Sequence, residues 1–125
     1  MKKEKTSSFI TREGAVKKIM EKTDYSIEDV EYFYGEYIMS PACIAVGEKI
    51  KSIREKNSLS LETLANLIPC SPEFIEITEE GLIPPGLHFS KRFVEIFSVG
   101  SWEKIFGEIK DIIKSVDEKN NKPRS

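Results

Sequence analysis

The sequence predicts an all-α protein. Three observations carry that expectation. Apolar residues recur at three- and four-residue intervals in almost every segment. Serine, proline and glycine sit where helices start and stop. The alternate-residue pattern of a half-buried strand is nearly absent. The chain has 125 residues, 39% of them hydrophobic, which suits one domain with an appended arm. Charged residues make up 32% with both signs mixed, and the net charge of -2 lacks the basic excess usual in a dedicated nucleic-acid binder.

The elements follow in order. "TREGAVKKIMEKT" aligns Ala15, Val16, Ile19 and Met20 on one helical face. "SIEDVEYFYGEYIMSP" has Ser26 as N-cap and Pro41 as stop, with Val30, Phe33, Tyr34, Tyr37 and Ile38 as its stripe. "VGEKIKSIREKNS" lines up Val46, Ile50 and Ile53. "LSLETLANLIP" lines up Leu61, Leu64, Ala65 and Ile68, capped by Ser60 and ended by Pro69. "CSPEFIEITEEG" offers Ser71 as N-cap, Pro72 at the first helical position and Gly81 at the left-handed terminal site. "LIPPG" is a loop, and "FSKRFVEIFS" is a helix closed by Gly100. "SWEKIFGEIKDIIKSVDEK" is the strongest pattern, capped by Ser101, before a polar tail. The count is six to seven helices. They divide into an N-terminal helical extension (1–45), a central domain (46–100) and a C-terminal amphipathic helix with its tail (101–125).

Residues 46 to 100 resemble the lambda-repressor-like (XRE, Cro-type) helix-turn-helix family. "VGEKIKSIREKNSLSLETLANLI" is similar to its first two helices, Ala65 supplies the small residue at the tight helix approach, and Glu79, Gly81 and Pro85 match its helix-three ending and loop. The resemblance implies regulation of transcription by sequence-specific binding of duplex DNA, with the helix from residue 72 in the major groove. Carried across, the reading surface is Ser71, Pro72, Glu73, Phe74, Glu76, Ile77 and Glu80, and phosphates are held by Ser60, Lys49 and Arg54.

Some positions depart from the family pattern. Leu61 replaces a glutamine, Thr78 a large apolar residue, and Pro69 a turn glycine, so a locally different turn is expected. Charge departs furthest. No lysine or arginine occurs from Asn57 to Ser90, whereas Glu62, Glu73, Glu76, Glu79 and Glu80 all do. Duplex affinity comes largely from cations that displace condensed counterions, so this segment has the wrong sign for the groove. A second function therefore competes: a protein-interaction module whose acidic face meets a basic partner in place of DNA.

Other features give weaker signals. Thr23 to Glu48 also lacks Lys and Arg and holds four tyrosines, which read as aromatics packed on the core with an acidic rim. Lys2, Lys3 and Lys5, then Lys119, Lys122 and Arg124, read as solubilising ends. Trp102, Ile105, Phe106, Ile109, Ile112, Ile113 and Val116 form a stripe wide enough to pair two copies into a homodimer or to close this chain's own core. Cys43, Cys70 and His88 have no metal-ligand spacing, and no catalytic set or phosphate loop can be placed, so neither enzyme activity nor a cofactor is expected. No apolar run approaches the roughly 20 residues of a membrane span, and the N-terminus lacks a signal's apolar centre, so a cytoplasmic location is expected.

Overall fold

The computed structural model describes residues 11–97 and 102–121. Among these, regular structure is all helical: α1 (Arg12–Lys22), α2 (Ile27–Tyr34), α3 (Pro41–Lys56), α4 (Leu61–Leu67), α5 (Pro72–Glu79), α6 (Leu87–Phe97), α7 (Trp102–Phe106), a 3-10 turn (Gly107–Ile109) and α8 (Lys110–Asn120). The first five helices each begin at a hydroxyl cap. Thr11, Ser26, Ser40, Ser60 and Ser71 accept from the backbone N–H three residues on, which satisfies a donor that the helix leaves orphaned. No helix among the described residues is long and apolar enough to cross a membrane.

Three boundaries differ from the sequence reading. Pro41 opens α3 instead of stopping the preceding helix, because Ser40 caps there and proline fits the first turn. The expected division at 45/46 thus falls inside α3. α2 ends at Tyr34, and Gly35 leads into a turn closed by the Tyr37 N–H donating to the Tyr34 carbonyl at 2.7 Å. The C-terminal pattern breaks at Gly107 into α7 and α8, as a weak helix former allows. The expected caps Gly100 and Ser101 lie outside the described residues. Pro69 is corrected too: it holds φ +30, so the turn keeps a positive φ that a proline ring opposes.

Two apolar cores share the molecule. The inner one joins α3, α4, α5, α6, α7 and α8 through Val46, Ile50, Leu64, Ile75, Phe93, Phe106 and Ile113. The outer one joins α1 and α2 to α5, the loop after it and α8, through Ala15, Ile19, Val30, Tyr34, Ile77, Ile83 and Val116. α5 contributes to both. The α3–α5 approach needs Gly47, where a Cβ would lie 2.5 Å from the Glu79 carbonyl oxygen. α8 is tied to the outer layer. The Tyr37 hydroxyl donates to Ser115 Oγ at 3.0 Å, and Lys119 Nζ donates to the Tyr32 carbonyl at 2.9 Å. Lys119 is therefore not a free basic arm.

Candidate functional site

The residues singled out as a reading surface lie on α5 and at its cap. Ser71 Oγ accepts from the Phe74 N–H at 3.1 Å, Pro72 sets the first turn, and Gly81, at φ +80, ends the element. Ile75, Thr78 and Glu79 face inward. Thr78 is accommodated where a large apolar residue was expected because its hydroxyl donates to the Phe74 carbonyl at 2.8 Å.

Glu79 meets Arg54 of α3. Arg54 Nε donates to Oε2 at 2.7 Å and Nη2 to Oε1 at 3.0 Å, while Nη1 donates to the Leu59 carbonyl at 2.8 Å. The fork joins α3, the loop before α4 and the end of α5. The bond to Glu79 holds the guanidinium pKa above its ordinary value. Arg54 is thereby used up inside the fold, which corrects its reading as a phosphate contact.

The outer face of α5 is covered by α1. Ile77 is fully buried in the cluster with Ala15, Val16 and Ile19. Lys18 Nζ reaches Glu80 at 2.8 Å and Glu76 at 3.6 Å, and Lys22 Nζ reaches Glu76 at 3.4 Å. The hydrogen bond to Glu80 raises the Lys18 pKa. The expectation of five unrelieved carboxylates on a groove-facing side is thus corrected. Cations from outside the segment neutralise Glu76, Glu79 and Glu80, while Glu62 and Glu73 are exposed with no ion pair among the described residues. Of the seven surface candidates, Ser71, Glu73 and the ion-paired Glu80 are exposed; Pro72, Phe74 and Glu76 are half-buried, and Ile77 is buried.

The remaining candidates are dispersed. Ser60 caps α4, and its hydroxyl donates to Thr63 Oγ1 at 3.0 Å. Lys49 is exposed and donates to Glu108 at 3.4 Å. Ile105, Phe106, Ile109, Ile113 and Val116 are buried in the chain's own cores, with Trp102 and Ile112 half-buried against them. The stripe offered for self-association is used within one copy. Cys43 is buried, Cys70 is half-buried, both are free thiols, and burial raises both pKa values. No group of three potential metal ligands occurs among the described residues.

Sequence reasoning missed Lys18 and Lys22, more than fifty residues before their partners. One signal could have found them. Lys18 and Lys22 repeat at i, i+4 on α1, as Glu76 on α5 and Glu80 at its C-cap do, so two complementary pairs stand one turn apart on helices that pack side by side. No family model, curated protein or solved structure compared with the chain matches it.

Proposed function

We propose that this chain is a non-enzymatic regulator, built on a helix-turn-helix type of scaffold, that acts by protein contact, with α5 held in its own fold and not in a DNA groove. The observation that carries the reading is α1 on the outer face of α5, with Ile77 buried and Glu76 and Glu80 paired to its lysines. A reading helix must offer that face to base edges in a groove about 12 Å wide. A second helix across it leaves no such approach. Nor does the segment from α4 to α5 carry a cation to meet phosphates. Any control of transcription then passes through a partner.

Direct duplex recognition, the function the family resemblance implies, is the second reading. One contact favours it. Arg92 Nε donates to the Leu67 carbonyl at 3.1 Å and Nη1 to Glu95 at 3.1 Å, which sets a partly exposed guanidinium beside the α4–α5 turn, with the exposed Lys91 next to it. This reading requires α1 to leave α5.

Titrating the full chain with random-sequence duplex at low salt separates the two. The protein-contact reading expects no binding. Binding that weakens steeply as salt rises would overturn it.

A further inference from the structure

We propose that the open side of the α1–α2 hairpin docks a basic amphipathic segment of a protein partner, with an apolar side chain in one hollow and an arginine or lysine in the next. This rests on the protein-contact reading above and assigns it a surface. The first hollow, about 420 Å³, runs between α1 and α2 from the Arg12–Glu31 pair to Met20 and Ile27. Its floor is Val16, Met20 and Ile27. Met20 and Ile27 are 36% and 49% exposed, so two of the four large hydrophobic side chains exposed among the described residues meet in one groove. Isolated exposed apolar groups are ordinary, whereas two lining one groove mark a place where burial is gained on binding.

The second hollow, about 680 Å³, lies between the α1–α2 turn and the start of α5. Glu21 lines both hollows, so one segment crossing it engages both. The half-buried rings of Tyr25 and Phe74 wall the second, with the carboxylates of Glu21, Asp24 and Glu73 around them. None of these three carboxylates has an ion pair among the described residues, in contrast with Glu76, Glu79 and Glu80 nearby. The cation in this hollow, Lys22, is engaged by Glu76. Aromatic walls and unpaired carboxylates suit a guanidinium, which stacks on rings and donates in a fork.

Charge fixes the direction of the segment. Arg12 is held by Glu31 at 2.9 Å and by the Gly35 carbonyl at 2.9 Å, so it does not repel a cationic ligand as a free charge would. Lys17 and Glu13, both exposed, line the first hollow with opposite charges that offset, so the carboxylate excess of Glu21, Asp24 and Glu73 draws the basic part of the segment to the Glu21 end. The mode is an amphipathic segment in a groove, with apolar anchors for affinity and charges for register.

The test is a selection of displayed random short peptides on the full chain. The best peptide is then labelled and titrated by fluorescence anisotropy. Enriched peptides are expected to join Leu, Met or Phe to Arg or Lys. Ile27→Glu, and separately Glu21→Lys with Glu73→Lys, should each weaken binding by about tenfold or more. Glu62→Lys, an exposed acidic position on α4, should leave it unchanged. These positions are exposed, and circular dichroism checks that each variant folds. No enrichment, enrichment of acidic peptides, or unchanged binding by either groove variant overturns the proposal. In the last case basic peptides bind elsewhere, so the groove fails while the protein-contact reading stands. Failure of that reading appears separately, as salt-sensitive duplex binding.

Discussion

The two faces of α5 are built alike, each with glutamate paired to a cation beside a buried isoleucine, yet burial separates them. On the inner face Arg54 and Glu79 are 11% and 5% exposed. On the outer face Lys18 and Glu80 are 28% and 42% exposed. Water and salt screen the outer pairs and barely reach the inner one. The inner face therefore fixes the position of α5, whereas the outer face adds a layer whose ion pairs weaken as salt rises.

The inner pair offers the sharpest break. Glu79→Ala leaves a guanidinium with little access to water and removes its best partner, so unfolding free energy should fall by about 3–5 kcal/mol. A denaturant titration reads this, and the loss should be nearly the same at low and high salt. A loss that high salt abolishes would place Glu79 with the outer pairs. Gly47→Ala comes next. Its methyl would press on the carbonyl oxygens of Glu79 and Thr78 at 2.5 and 2.6 Å, which are backbone and cannot swing away. Overpacking of about 1–3 kcal/mol, less about 1 kcal/mol from better helix propensity, leaves a net loss of up to about 2 kcal/mol in the same titration. A gain in stability would mean that α3 and α5 approach less closely than the contact requires.

The helices of both layers were legible in the sequence, as were the apolar faces of α1 and α2, whereas the docking of α1 across α5 was not. Ser60, Ser71, Pro72 and Gly81 sit within a turn of what they cap or end, so local patterning placed α4 and α5. The stripe from Ile105 to Val116 marked an apolar face correctly but could not say what would bury it. Residues on either side of one helix look alike in sequence whether they meet solvent or another helix. That is why Ile77 read as surface. Charge misled for a related reason. A run without lysine looks uncompensated until packing brings Lys18 and Lys22 across it.

Those outer lysines give the next test. Lys18→Ala with Lys22→Ala removes the cations over Glu76 and Glu80, and partly exposed pairs of this kind are worth about 0–1 kcal/mol each. Stability should fall by roughly that amount at low salt, and the deficit should shrink as salt rises. Hydrogen exchange should quicken in α1 before α3 or α5. Uniform quickening through all three helices would show that α1 opens only when the whole domain does.

The smallest expected effect lies at the far end of the outer layer, where Arg12 grips Glu31 with two hydrogen bonds of 2.9 Å. The Arg12 bonds hold the Glu31 carboxyl below its ordinary pKa. A carboxylate whose folded pKa is depressed stabilises the fold above its unfolded pKa, near 4.3, and loses that contribution as pH falls through the folded value. The melting temperature of the wild type should therefore exceed that of Glu31→Gln slightly at pH 6, and the gap should close as pH falls below about 4. Comparing the variant with the wild type at each pH cancels most of the titration of the other carboxylates. Both side chains are about half exposed, at 50% and 45%, so added salt at pH 6 should narrow the same gap. A gap that survives both acid and salt would mean that Glu31 acts through packing on the hairpin and not through its charge.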